Sequence, residues 1–176
     1  MKNLILICTL LVFQAPLLIN AQKASDRKLE KQAQDQLEFE ATKKLIESGE
    51  FNFWADRLNS NGGLSKSLTT TPNFLNIKAG EAHISLPYFG VVRANAPYQV
   101  DGGIKYEGAI EDYRVDVKEN KRRIVIKFDV DRGIEEHNFI MTVSKSGWTR
   151  LTVISSGRTT ITYYGYTRAP DSEVGF

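Results

Sequence analysis

The sequence offers almost nothing for thiol chemistry. Of 176 residues one is cysteine, Cys8, and a lone cysteine closes no intrachain disulfide. Histidine is nearly as scarce, with only His83 and His137. A serine nucleophile needs a base, usually histidine, and the elbow Gly-x-Ser-x-Gly that would present it is absent. Structural and catalytic metal sites need clustered His, Cys, Asp or Glu, and there is neither a His-x-x-x-His pair nor a paired cysteine. Gly-x-Gly-x-x-Gly and the Walker pattern are also missing, so no phosphate cradle is written here. No cofactor is implied. An excess of charge is lacking too: 23 Lys plus Arg against 21 Asp plus Glu leaves +2, which argues against a nucleic-acid partner. No apolar run reaches the ~20 residues that a membrane-spanning helix requires.

What is present begins with a sharply different front end. Lys2 supplies a positive start, Leu4 to Phe13 is apolar apart from Thr9, Pro16 should break the helix, and Ile19-Asn20-Ala21 ends in a small residue. This reads as a cleaved secretory signal over residues 1–21, with export to the periplasm or beyond. Cys8 sits inside the apolar stretch behind Ile7, which is wrong for a lipidation site. Cutting after Ala21 would leave a body without thiols, stabilised by its own core.

Residues 22–48 are rich in Lys, Glu, Gln and Ala and predict a helix, stopped by Gly49. Leu29, Ala33, Leu37, Ala41 and Leu45 recur every four residues and form its expected contact stripe, against the body or against a partner. Residues 49–168 then switch to period two, and 169–176 form a tail. Phe51, Phe53 and Ala55 alternate with polar residues, followed by a polar loop over 59–71. Strands are expected at 74–78 and at 82–86, the latter broken at Pro87 and continuing through Tyr88 to Val92. Ile104 to Gly108 is a further short strand. From Tyr113 to Tyr166, apolar alternation is punctuated by short turns, a meander of four strands. Short connections force antiparallel neighbours. The fold class is mainly β, α+β with one N-terminal helix. Its architecture is a sandwich, a half-open barrel, or a curved sheet wrapped around the helix.

Candidate chemistry is sparse. The run from Asp129 to His137 has the acidity of a calcium loop but not its spacing, since Gly133 falls at position five and Arg132 sits in the middle. It reads as an acidic hairpin tip in water, with His137 exposed. His83 alternates against Ala82 and Ile84 and should point to solvent. Lys121-Arg122-Arg123 reads as a solvated turn flank rather than a nucleic-acid platform. Glu107, Glu111, Asp112 and Asp116 lie close in sequence and are the material for a two-carboxylate hydrolase. Aromatic residues are the strongest feature: Tyr88, Phe89, Tyr98, Tyr106 and Tyr113 are the candidate ligand-binding set, in a cleft for a small apolar or glycan-like molecule. The competing role for Pro87-Tyr88-Phe89-Gly90 is to pin a kinked strand to the core.

Several pieces together resemble one family. They are Phe51-Asn52-Phe53-Trp54-Ala55-Asp56, Leu86-Pro87-Tyr88-Phe89-Gly90, Gly102-Gly103-Ile104-Lys105-Tyr106, Ile110-Glu111-Asp112-Tyr113, Ile124-Val125-Ile126-Lys127-Phe128 and Thr160-Ile161-Thr162-Tyr163-Tyr164-Gly165. The chain is similar over about Glu47 to Arg168 to exported Bacteroidetes proteins that share domain of unknown function 4251. The resemblance implies an exported, β-rich protein and no activity. The expectation is thus a non-enzymatic binding or interaction protein of the cell envelope, whose partner is a small ligand or an envelope protein. The alternative is an envelope hydrolase using the carboxylates of Glu107 to Asp116.

Overall fold

The computed structural model describes residues 15–68, 73–92, 102–131, 133 and 135–170. Helix α1 spans Ala15–Glu47, with Pro16 in its first described turn; the apolar run that Pro16 was expected to break lies outside the described residues. Residues up to Leu37 and those from Glu38 onward form two separate compact units. In the first unit Leu29 is exposed, and Leu37 is 73 % exposed. The buried face of the helix lies in the second unit and is not the expected stripe. Phe39, Thr42 and Ile46 are buried, with Leu45 packed beside them. Their spacing of three then four follows the 3.6-residue turn, whereas strict steps of four drift around the helix. Gly49 ends α1 with φ +71 and donates its N–H to Ile46 O, as a helix-terminating glycine does.

The described residues of the second unit hold ten strands. They are β1 (Glu50–Ser60), β2 (Ser65–Ser67), β3 (Phe74–Lys78), β4 (Glu81–Leu86), β5 (Ile104–Ala109), β6 (Glu111–Lys118), β7 (Arg123–Asp131), β8 (Glu136–Ser144), β9 (Trp148–Ser155) and β10 (Ile161–Arg168). All pair antiparallel in one sheet of order β5-β4-β3-β1-β10-β9-β8-β7-β6, with β2 paired to β1. The meander after Tyr113 therefore has five strands, not four. The expected loop over 59–71 contains β2, which folds back on β1. The expected continuation from Tyr88 to Val92 is not a strand: residues 87–91 are irregular, and Val92 makes an isolated bridge to Arg158.

The two ends of this strand order, β5 and β6, are consecutive in the chain and separated only by Ile110. A sheet whose edges are joined by one residue must curl back on itself. The result is a nearly closed, barrel-like sheet, not a sandwich. Its inner face is filled by Phe51, Phe53, Leu75, Ile126, Phe128, Phe139 and their neighbours. Phe128 and Phe139 stack as a cross-strand pair, centroids 4.9 Å apart. The C-terminal turns of α1 lie across the turns at one end of the strands. Thr42 Oγ1 donates to Lys145 O (2.7 Å), and Lys43 and Glu38 pair with Glu119 and Lys145.

Close approach between β1 and β10 rests on a glycine. The register shifts between Ala55 and Arg57, leaving Asp56 as a bulge. Opposite it, a Cβ on Gly165 would run into the Trp54 carbonyl oxygen.

Candidate functional site

Open space lies along the β4–β5 side of the sheet. The larger cleft, about 620 Å³, is lined by Phe74 of β3, His83, Ile84 and Ser85 of β4, Lys105, Tyr106 and Glu107 of β5, and Asp131 at the end of β7. Strand alternation builds it. Ala82, Ile84 and Leu86 point inward and are buried, so His83 and Ser85 point out. The register places Glu107 opposite His83 and Lys105 opposite Ser85. Directly opposed residues share a face with Cβ atoms about 5 Å apart. The His83 ring meets the Phe74 ring edge-on at 4.9 Å, which fixes its plane. The cleft thus offers donors, acceptors and both signs of charge around the rings of Phe74 and Tyr106. Such a set suits a ligand with many hydroxyl or carboxyl groups better than an apolar one.

A smaller cleft of about 220 Å³ adjoins Glu111, Asp129, Asp131, Glu136, His137 and Asn138. Asn138 Nδ2 donates to Asp129 Oδ1 within it. Among the described residues, no group of three or more His, Cys, Asp or Glu is placed to hold a metal ion.

The structure scatters the expected ligand-binding set. Tyr88 is buried. Its hydroxyl lies 2.9 Å from Thr159 O and 3.0 Å from Val91 O, and shares a hydrogen bond with Thr159 Oγ1. It pins the irregular segment after Pro87 to the connection between β9 and β10. Phe89 is partly exposed, with Lys66 Nζ 3.8 Å above its ring centroid. Tyr98 lies outside the described residues. Tyr106 lines the larger cleft, and its hydroxyl donates to Ala109 O. Tyr113 lies on the edge strand β6, where partial burial raises its phenol above the usual value. Of the four described, Tyr106 alone borders the cleft. The four carboxylates scatter as well. Glu107 lines the larger cleft and Glu111 the smaller, while Asp112 and Asp116 pair with Arg114 and Lys118 of their own strand.

His137 is not exposed; it is 1 % accessible and sits inside the sheet. The reason was present in the alternation, since His137 has the parity of Phe139, Met141 and Val143. Its Nδ1 is 2.6 Å from Ser155 Oγ and its Nε2 is 3.7 Å from Glu135 Oε2. Glu135 is buried too and is held by Arg158, whose Nε lies 3.0 and 3.1 Å from the two carboxylate oxygens. Arg158 Nη1 also donates to the carbonyls of Gly102 and Gly103, and its guanidinium stands 5.1 Å from the Tyr88 ring centroid. The run from Asp129 to His137 is therefore not simply a solvated tip. Its last residues anchor a buried polar network that sequence reasoning missed. Nearby, Tyr163 donates to Pro87 O (2.7 Å). Burial pushes its phenol far up, and Tyr88 adds to the shift while Arg158 opposes it.

Taken together, these features define a curled antiparallel sheet with an apolar core, aromatic and polar residues on its outer face, and a cleft of about 620 Å³ beside β4 and β5. The family profile described as "Domain of unknown function (DUF4251)" matches residues 33–167. The chain belongs to that family. Its fold is similar to that in the crystal structure of a DUF4251 family protein from Bacteroides eggerthii DSM 20697. That match has a TM-score of 0.60 at 16 % identity and covers 78 % of this chain and 91 % of the other. No curated protein matches.

Proposed function

We infer that the protein is an exported, non-enzymatic binding module of the cell envelope that takes a small glycan-like ligand in the cleft of Phe74, His83, Ser85, Lys105, Tyr106 and Glu107. The observation that supports this reading is a cleft that gathers His83, Ser85, Lys105 and Glu107 beside the rings of Phe74 and Tyr106. The front end over residues 1–21 supports export, and the larger cleft is of the size that small-molecule sites take. The test is calorimetric titration of the full chain with neutral and acidic oligosaccharides and with a fatty acid. Saccharide binding weakened at least tenfold in His83→Ala or Lys105→Ala supports the reading. Binding of the fatty acid alone, or of nothing, overturns it. Export is tested separately by the N-terminal mass of the protein in cell fractions, with a start at Gln22 expected.

One observation favours a second reading, an envelope hydrolase: Glu107 faces His83 across adjacent strands, a partner the sequence did not reveal. Saccharide turnover that is lost in Glu107→Gln would establish it in place of simple binding.

A further inference from the structure

The outer face of the sheet carries two adjacent cross-strand rows over β1, β10 and β9. In one, Trp54 stands opposite Tyr166 and Tyr166 opposite Trp148. In the next, Arg57 stands opposite Tyr164 and Tyr164 opposite Arg150. Directly opposed residues share a face, and the inward neighbours Phe53, Thr149 and Thr167 are buried, so both rows face water. Trp148 is 39 % exposed and Tyr166 41 %. Packing alone does not call for rings this large where so much of them stays wet. The rows are also preset. Arg57 Cζ sits 5.1 Å from the Tyr164 ring centroid, Trp148 stacks on Tyr164 at 5.8 Å, and Arg168 lies 5.5 Å from the Tyr166 centroid. Cation–π contact holds a guanidinium in place while leaving its N–H fork available to an anion. Neither row contains a carboxylate; Asp56 lies in the bulge between Ala55 and Arg57.

We propose that this face binds an acidic polysaccharide, with sugar rings stacked on Trp54, Tyr166 and Trp148 and carboxylates paired to Arg57 and Arg150. The ligand must present flat apolar ring faces at intervals near the strand spacing of about 4.8 Å, with anionic groups along one side. A chain of uronate sugars has that alternation, and guanidinium is the group that pairs a carboxylate at two points. A single-stranded nucleic acid also offers rings and anions. It is disfavoured by the net charge of only +2, since its affinity depends on many phosphate contacts. The aromatic row continues from Trp54 to Phe74, then to Ser85 and Lys105, into the cleft. The proposal goes beyond the cleft's own ligand and does not depend on it.

Trp54 and Trp148 are the chain's two tryptophans, so intrinsic fluorescence reports on this face directly. The full chain is titrated with an oligogalacturonate, with its neutral methyl ester, and with a single-stranded oligothymidylate. Expected are a fluorescence change with the acidic oligosaccharide and affinity at least tenfold weaker for the methyl ester. Arg57→Gln with Arg150→Gln should erase that preference, and Tyr166→Ser should weaken both saccharides. All three changes are at the surface, and circular dichroism checks the fold. Oligothymidylate binding as tightly as the oligogalacturonate overturns the assignment in favour of nucleic acid. An arginine double variant that stays within twofold of the parent also overturns it. Loss of saccharide binding in His83→Ala or Lys105→Ala but in none of the row variants sinks this proposal and leaves the cleft reading standing. The reverse pattern sinks the cleft reading alone.

Discussion

Arg158 anchors the buried polar network outside the apolar core. It and Glu135 are each 2 % exposed, and Arg158 meets both carboxylate oxygens and two backbone carbonyls. Arg158→Met keeps length and apolar contact but leaves the Glu135 carboxylate buried without its cation. Breaking a buried pair from one side costs about 3–5 kcal/mol. For a body of this size 1 kcal/mol moves the melting temperature by about 2–4 °C, so the midpoint should fall by roughly 6–20 °C. Glu135→Leu in the same background removes the orphaned charge and should restore a large part of the loss. Restoration is incomplete, because the Gly102 carbonyl loses its Arg158 donor, at about 1–3 kcal/mol for a buried acceptor. The coupling between the two sites should therefore be at least ~2 kcal/mol. Urea unfolding, followed by far-ultraviolet circular dichroism and tryptophan fluorescence, measures all four corners of the cycle. An Arg158→Met cost below about 1 kcal/mol, or a double variant equal to the sum of the singles, would refute the view that this pair fastens the loops.

Three further predictions follow from the packing. Phe39→Ala should cost about 3–5 kcal/mol in urea unfolding, while Leu37→Ala, two residues away and exposed, should stay within about 0.5 kcal/mol; equal costs would return the contact stripe to Leu37. Tyr163→Phe removes one hydrogen bond to Pro87 O, worth about 1 kcal/mol near neutral pH. Its folded-state phenol lies above the unfolded value, so native Tyr163 adds stability below about pH 10 that is lost on further alkalinisation. Stability measured from pH 9 to 11.5 should fall less steeply in Tyr163→Phe, and parallel curves would contradict the assignment. Gly165→Ala should prevent normal pairing of β1 with β10, read as lost amide-exchange protection across both strands; a native-like exchange pattern would show that the bulge relaxes freely.

Much of the sheet was legible because period two is a strong signal. Phe51, Phe53, Ala82, Ile84, Ile124, Ile126, Phe128, Phe139, Met141 and Val143 all face inward as their alternation requires. The antiparallel connections followed from short turns. The closure of the sheet was less visible, since it depends on β5 pairing with β4 while β6 pairs with β7, which no local pattern encodes. The helix face is hidden in the sequence because Leu29 to Leu45 recur at steps of four, while the 3.6-residue turn selects Phe39, Thr42 and Ile46. His137 was misread for the opposite reason. Its polarity outweighed its parity, although a buried partner network makes that parity affordable. Arg158 gave no signal at all: it sits in a turn, and only the fold brings Glu135 to it.

The described tyrosines divide by which face of the sheet each ring occupies. Tyr88 and Tyr163 have hydroxyls engaged by backbone carbonyls of irregular segments, which fixes those segments and leaves the rings inside. Tyr164 and Tyr166 straddle Gly165 on the opposite face, where their partners are arginines and tryptophans. One stretch, Tyr163-Tyr164-Gly165-Tyr166, thus serves both sides of the sheet: a core ring, then two surface rings around the glycine that lets β1 approach. The inward ring is determined by stability, because moving it exposes a large buried area. The outward pair has no such constraint, and its arrangement with Trp54 and Trp148 is where recognition by this sheet is to be sought.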